Sequence, residues 1–541
     1  MEIIMRKSHT RLLSSLLRKS CMCHQSVGCY KSTLVQALNK ASASAPSPSH
    51  STKTAKVLDE FAVAMKDGDK EVNVDGRPTF AYFLSEATTK LISEVGVGKH
   101  PGRRKLATIS LPDELMSARR SIIQAAGQSK DLHEEALKLK RKIRERLLPL
   151  DFRVQEEKRK EFLREIVSQE SVCPEDEAVL EEDRKALFEG RKKRLEEKIR
   201  NEIYNYQPLD FSTPESALLY MMARLTPDFA ALMKVFHQLR CALPTFMPTT
   251  MLDFGSGVGS ATWAVDQTWP KSCKEVVNVD PSNAMHELHD VLLRGGLASL
   301  PLPRRKNSTS FRHFLPLTGS LKHDLVVCSR TLFEIGSRDM RLRTLDILWK
   351  TVMPGGCLVL VEGGRASGCH LTLEARDFLM QGLKVDTSSS RLRGRIIAPC
   401  PHQNACPLLA KQPKYRICTD SQLYQEVEYP DPLLEVFSYL IVQKPKELET
   451  REDTLITWPR IIQPVIKSDS VIVRVCNKFG HLQELCASKG KHGTLCRQVA
   501  RKSTLGDLYP VELLPPSQHI NPGYNAIDLC HNKKARDDDK F

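Results

Sequence analysis

Residues Thr249 to Val265 read TTMLDFGSGVGSATWAV, and this stretch decides the fold. A short apolar run ends in Asp253, a tight turn carries Gly255, Gly257 and Gly259, and helical spacing begins near Ser260, the pattern of strand, loop and helix. Glycine permits positive φ and lets backbone N–H groups approach a ligand that any Cβ would hold off, while the N-terminus of the helix favours negative charge. A second predicted strand, Glu275–Val279, ends in Asp280, where an acidic side chain can accept hydrogen bonds from both hydroxyls of a ribose.

A dinucleotide fingerprint wants Gly-X-Gly-X-X-Gly, with the third glycine packing helix against strand beneath a pyrophosphate. This loop instead has Gly-Ser-Gly-Val-Gly after Asp-Phe. It resembles motif I of class I S-adenosylmethionine-dependent methyltransferases. That resemblance implies that Asp253 and the loop glycines Gly255, Gly257 and Gly259 hold the methionine end of the cofactor, and Asp280 its ribose. The alternative is a Rossmann-like domain with a vestigial pocket.

Downstream the alternation continues. Ser282 to Arg294 suits a helix, His323–Ser329 a buried parallel strand, Arg338 to Val352 a helix, and Cys357–Val361 a strand after the turn Met353-Pro354-Gly355-Gly356. Strands alternating with helices predict an α/β doubly wound sheet with its ligand at the carboxyl ends of the strands. Ser329, Arg330, Glu334 and Glu362 then lie on the functional edge, with Ser329 a cofactor contact and Glu334 within reach of Arg338. No Asn-Pro-Pro-Tyr motif and no Pro-Cys nucleophile stands at the end of the fourth strand, so no catalytic base is assigned. Upstream, Thr213 to Phe246 predicts an apolar helical pair packed on this fold, with Tyr220 and Arg224 as candidate contacts against the blander readings of core packing and a surface salt bridge.

The chain has 541 residues, with 80 Lys plus Arg against 65 Asp plus Glu, a formal net charge of +15. That excess raises the prior for a polyanionic partner such as nucleic acid. No run approaches the roughly 20 apolar residues needed to cross a bilayer, so no membrane is expected. Residues 1–55 are basic, Ser-rich and nearly free of acids, which predicts a mitochondrial transit peptide and linker. Residues 56–212 read as mainly helical, with charge-dense helices between Leu132 and Glu202 and a basic turn, HPGRRK, at His100 as a candidate RNA contact. The cofactor domain is predicted over 213–390, a Cys-rich, RNA-contacting part completing the fold over 391–511, and a disordered tail over 512–541.

The second informative stretch is PCPHQNACP, Pro399 to Pro407, followed by Cys418 and later Cys476. Sixteen cysteines in a matrix protein do not form a disulfide scaffold, so clustered thiols suggest a metal or reactive sulfur. The Cys-X2-Cys pairs of a zinc ribbon are absent from this stretch. Zinc with His402 as a ligand stays open, as do unpaired buried cysteines, while four thiolates would satisfy a 4Fe-4S cluster.

Together MLDFGSGVGSATWA, VNVDPS, the Glu362 strand end, PCPHQNACPLL, FSYLIVQK and WPRIIQPVIK before VIVRVC resemble the methyltransferase-like protein 17 family of mitochondrial small-subunit assembly factors, from about Thr213 to Val511. The resemblance implies a mitochondrial matrix protein that binds S-adenosylmethionine and a 4Fe-4S cluster. It further implies engagement of small-subunit rRNA and ribosomal proteins during maturation, support of mitochondrial translation, and a monomer off the ribosome. Carried over, the cluster ligands are Cys400, Cys406, Cys418 and Cys476, with Cys486 and Cys496 as alternatives for the fourth. Lys411, Lys414, Arg416, Lys444, Lys446, Trp458, Arg460, Lys467 and Arg474 then form an expected basic surface around the cluster, with Trp458 either stacking on a base or serving as an apolar anchor. Two functions follow: an assembly factor using the fold as a binding platform, or an active rRNA methyltransferase that holds donor and acceptor in line.

Overall fold

The computed structural model describes residues 81–514 except 128–129, 149–151, 169–180, 203–208, 302–307, 316–320, 382–393, 410–416 and 447–457. The expected transit peptide and linker, and the tail beyond Leu514, lie outside the described residues. The described residues begin with β1 (Ala81–Phe83), α1 (Glu86–Val95), α2 (Asp113–Ala125), α3 (Lys130–Glu145), α4 (Phe152–Ser168), α5 (Glu181–Glu202) and α6 (Pro214–Ala242). Then come β2 (Thr250–Phe254), α7 (Ser260–Thr268), β3 (Glu275–Val279), α8 (Asn283–Leu293), β4 (Ser308–Arg312), β5 (His323–Ser329), α9 (Arg338–Thr351), β6 (Val352–Gly363) and α10 (Ala366–Gln381). Finally β7 (Arg395–Ala398), β8 (Asp420–Tyr424) and β9 (Leu433–Gln443) lead to a lobe of β10 (Arg460–Ile461), β11 (Ile466–Lys467), β12 (Val471–Cys476), β13 (Leu482–Ala487), α11 (Lys489–Lys502) and β14 (Glu512–Leu514).

The central sheet runs β4-β3-β2-β5-β6-β9-β7, with β8 also paired to β9. The first five strands are parallel, whereas β9 runs antiparallel to β6, β7 and β8. Strand order reverses beside β2, which places a crevice at the carboxyl ends of β2 and β5. This is the class I methyltransferase arrangement expected from the glycine loop. Period-two burial explains its two layers. Leu325 and Val327 of β5 join Met251, Val276 and Val359 in a core under α2, α6, α7 and α8, while Val326 and Cys328 join Leu252, Val277 and Leu358 under α9 and α10.

The expected helical pair before β2 is one helix. Thr213 caps α6 through a capping box with Ser216, Pro214 occupies the first turn, and Pro227 lies inside without ending the helix. An internal proline costs a helix about 3 kcal/mol, but both flanks of Pro227 are buried here, so tertiary packing overrides the local penalty. Arg224 pairs with Asp228 on the next turn, and both reach across the fold: Arg224 Nη2 donates to Glu435 Oε1 of β9 at 2.8 Å, and Asp228 Oδ1 accepts from Arg330 Nε at 3.0 Å. Arg330 also donates to Glu435 at 2.6 Å. The surface salt bridge weighed for Arg224 is thus a buried network of four charged residues.

The remaining lobe has its own core, in which Ile92 and Tyr82 meet Val471, Val473, Val475, Leu485, Val499 and Tyr509. Strand β14 pairs antiparallel with β1, Ala81 opposite Leu514, so the ordered fold runs past Val511, where the tail was expected to start. Helices α4 and α5 form a hairpin held by Phe162, Ile166, Leu195 and Ile199. No helix among the described residues is long and apolar enough to cross a membrane.

Removing one carboxylate from the four-charge network leaves guanidinium groups buried and under-compensated. Asp228→Ala is expected to lower unfolding free energy by about 3–5 kcal/mol, with Asp228→Asn less damaging because it keeps an acceptor. Urea titration of the two variants against wild type measures both.

Candidate functional site

The glycine loop turns at the end of β2 through three left-handed residues, Gly255 at φ 71°, Gly257 at φ 49° and Gly259 at φ 85°. Gly255 N and Ser256 N donate to Val279 O at 2.7 and 3.1 Å, stitching the loop to β3. The three glycines have different reasons to be glycine. A Cβ on Gly255 would lie 1.9 Å from Thr331 Oγ1, and one on Gly259 2.0 Å from His289 Nε2, but one on Gly257 meets nothing nearer than Tyr220 Cε1 at 3.7 Å. The outer two glycines therefore seat the loop on its neighbours, while Gly257 leaves open a floor with Tyr220 as its wall.

Asp280 closes the loop from the other side. Its Oδ2 accepts from Gly257 N at 2.9 Å and its Oδ1 from Ser282 N at 2.9 Å. Each oxygen keeps a lone pair for a ligand hydroxyl. Asp253 is buried at the end of β2, and burial, followed by the nearby Asp280 charge, pushes its carboxyl up to about 8. Ser329 ends β5 with its Oγ buried and without a hydrogen-bond partner, as is Ser256 Oγ in the loop. Asp253, Gly255, Gly257, Gly259, Asp280 and Ser329 thus gather at the carboxyl edge of β2, β3 and β5. Thr331, which sequence reasoning did not select, joins them by donating to Phe254 O at 3.1 Å beneath Gly255.

Of the other edge residues, Glu334 does not pair with Arg338. Arg146, from the end of α3, forks onto both Glu334 carboxylate oxygens and lies over the Phe333 ring at 4.9 Å, while Arg338 pairs with Glu374 at 2.7 Å. Arg330 holds a left-handed φ of 61°, uncommon for a non-glycine residue, and is fixed there by Asp228 and Glu435. Tyr220 OH donates to Asp228 Oδ2 at 3.3 Å. Glu362 is buried, accepts from Leu332 N at 2.9 Å, and burial pushes its carboxyl up to about 8 against the opposing pull of Arg330.

Cys400, Cys406, Cys418 and Cys476 line one cavity, together with Cys369 of α10, Arg376 and Arg460. Four separate chain segments supply the first four thiols and Cys369: the loop after β7, the segment just before β8, the end of β12, and α10. Cys369 lies in a helical stretch without a neighbouring cysteine and gave no signal in the sequence. Burial pushes the Cys406 thiol up to about 11, with Cys400 contributing, and raises Cys418 and Cys476 in the same way. His402 Nε2 stands 3.2 Å from Cys476 Sγ. The alternatives for the fourth position lie elsewhere: Cys486 on β13 sits opposite Ile472 of β12, and Cys496 Sγ is 3.2 Å from Tyr509 OH in the C-terminal core. Among the described residues no group of three or more His, Cys, Asp or Glu side chains is set to hold a metal ion.

Among the described residues of the expected basic surface, three have internal partners. Arg460 is buried against Asp420 at 2.9 Å, Arg474 pairs with Glu484 at 2.8 Å, and Lys444 donates to Trp349 O and Val352 O at 2.9 and 3.0 Å. Lys411, Lys414 and Arg416 lie outside the described residues, and Trp458 meets His100 edge-on at 6.4 Å. The HPGRRK turn is likewise no open RNA contact. His100 and Arg104 are buried, Arg103 pairs with Asp507, and Asp507 also accepts from Arg104 N at 2.7 Å.

Residues 214–510 match the family model described as mitochondrial small ribosomal subunit Rsm22. The human mitochondrial ribosome assembly protein METTL17 is 36% identical over 335 residues, covering 60% of this chain and 69% of its own. Rsm22-cox11 tandem protein 2, mitochondrial, of Schizosaccharomyces pombe is 28% identical over 341 residues, 56% of this chain and 44% of its own. Among solved structures, the N-methyltransferase NodS from Bradyrhizobium japonicum, in complex with S-adenosyl-L-homocysteine, aligns over 39% of this chain and 84% of its own at 14% identity and a TM-score of 0.25.

Two expectations follow from the geometry. Gly259→Ala combines a left-handed φ with a collision against His289, and should cost several kcal/mol, whereas Gly257→Ala has room and should cost only about 1–2 kcal/mol for its φ; chemical denaturation ranks the two. Glu362 has a folded value near 8 against an ordinary 4.5, so the stability it contributes is complete below 4.5 and is lost as pH rises through 8. The Tm of wild type should therefore fall more steeply between pH 6 and 9 than that of Glu362→Gln, by roughly 2–4 °C, in paired thermal melts.

Proposed function

This chain belongs to the Rsm22 family of mitochondrial small ribosomal subunit proteins, and on that premise we propose that it is a mitochondrial matrix protein that assists maturation of the small ribosomal subunit by binding its rRNA. In this reading the glycine-loop pocket holds S-adenosylmethionine, the cysteine cavity holds a 4Fe-4S cluster, and both support the protein as a binding platform required for mitochondrial translation.

One observation carries the platform reading over catalysis. At the carboxyl edge of the sheet the carboxyls of Asp253 and Glu362 are held protonated near neutral pH by burial. Those of Asp228, Glu435 and Glu334 are occupied by guanidinium groups. Asp280 accepts two backbone N–H groups. Each carboxylate at this edge has structural work, and none is poised to take a proton from a nucleophile. The runner-up is an active rRNA methyltransferase, in which the sulfonium of the cofactor would supply the methyl group and the protein would supply alignment alone.

The pocket suits the cofactor. Gly257 leaves the floor clear, Asp280 offers two lone pairs to ribose hydroxyls, and the unpartnered Ser329 Oγ is a free donor on the rim. The cavity suits a cluster by its chemistry. Soft thiols from separate chain segments line one space, the ligand type that iron–sulfur clusters and zinc both take, and the buried Arg376 and Arg460 beside them would offset the negative charge of four thiolates.

Anaerobic purification followed by absorption spectroscopy and assay of iron, sulfide and zinc tests the cavity. Wild type should show broad absorption near 400 nm and about four iron atoms per chain, both lost in Cys400→Ser and Cys476→Ser. One zinc and no iron would refute the cluster. For the pocket, Asp280→Ala should abolish S-adenosylmethionine binding in calorimetry. If rRNA methylation then falls in cells while small-subunit assembly persists, the enzyme reading replaces the platform.

A further inference from the structure

Most arginines of the fold are consumed internally, as the partners of Arg119, Arg224, Arg330, Arg341 and Arg460 show. The C-terminal lobe carries an exception. Lys467 at the end of β11 faces Gln498, Arg501 and Lys502 of α11 across an open cleft whose lining contains no acid. All four side chains are exposed, and among the described residues none of the three cations has a carboxylate partner. The nearest acid in sequence, Asp469, engages α11 through its backbone carbonyl, which accepts from Arg497 Nε at 2.9 Å. Cations in the last turn of a helix complement its macrodipole, which accounts for Arg501 and Lys502. It does not account for Lys467, which comes from a different element, or for the amide donor of Gln498 between them.

The HPGRRK turn, displaced from its expected role as a direct contact, holds this cleft in place. Arg103 Nη1 donates to Lys502 O at 2.7 Å and pairs with Asp507, while Leu508 N donates to Gly102 O at 2.8 Å. The helix end that bears Arg501 and Lys502 is therefore clamped. Lys99, just before this turn, and Lys105, its last residue, are exposed and extend the positive field on either side of the clamp.

We propose that the cleft of Lys467, Gln498, Arg501 and Lys502 is the docking surface for the sugar-phosphate backbone of RNA. Three exposed cations and one amide donor match successive phosphate oxygens, and such contacts position a strand without reading its sequence. The proposal rests on the rRNA-binding reading above and locates it on the C-terminal lobe, away from both the glycine loop and the cysteine cavity.

The test is fluorescence anisotropy of a labelled RNA stem-loop with a single-stranded tail, titrated with the full chain at several salt concentrations. Lys467→Glu/Arg501→Glu/Lys502→Glu should bind at least about tenfold more weakly, with the salt slope reduced by about 2. Lys160→Glu/Lys192→Glu on the α4–α5 hairpin should leave both unchanged. All substituted side chains are exposed, and matching thermal melts confirm intact folding. If wild type binds RNA and the triple variant binds equally well with the same slope, the cleft assignment is overturned and the RNA-binding reading survives. If wild type binds no RNA, the reading itself fails and takes the cleft with it. Equal weakening by the hairpin control would overturn the assignment in favour of diffuse charge.

Discussion

Two guanidinium groups and two carboxylates share one buried space at the carboxyl edge of the sheet, and the arrangement of the cofactor-domain elements depends on them. Taking a single such charge out of water costs several kcal/mol, so Arg224, Asp228, Arg330 and Glu435 are tolerable only in one another's company. Their geometry joins the middle of α6, the turn after β5 and the reversed strand β9. It fixes the face that α6 presents to the pocket, because Tyr220 hangs from Asp228 by the same network. It also holds Arg330 in a backbone conformation that a non-glycine residue would otherwise leave.

A similar economy governs the middle of β9. The outer edge of that strand is divided, its first half pairing with β8 and its second with β7. Cys400 follows β7 and Cys418 precedes β8, so two thiols of the cavity sit where the edge changes partner. Asp420, just inside β8, takes Arg460 of the C-terminal lobe and Gln238 of α6. The cavity therefore lies at a seam where the sheet, α6 and the small lobe are already tied by buried polar contacts.

The parts of this structure legible in the sequence are those set by local pattern. TTMLDFGSGVGSATWAV showed its strand, turn and helix because glycine is the one residue that accepts positive φ at no cost, and His323–Ser329 showed itself as a strand buried on both faces. Thr331, Cys369 and Arg146 were invisible, since each reaches its place only through a contact between residues far apart in the chain. The basic residues misled for the same reason. Arg460 and Arg104 look in sequence like any exposed cation, and only the fold supplies Asp420 and Asp507. The helical pair expected over Thr213 to Phe246 is one helix, because burial on both sides of Pro227 outweighs the local cost of the proline.

The pairing of β1 with β14 joins Ala81 to Leu514, nearly the widest separation the described chain contains. Loop closure on that scale must be met before the two short strands gain anything from each other. A ribosome or import channel delivering the chain from its N-terminus would leave β1 and α1 waiting until Leu514 had emerged. For that interval the apolar residues Tyr82 and Ile92 would stand without their partners, an exposed edge of the kind that chaperones bind.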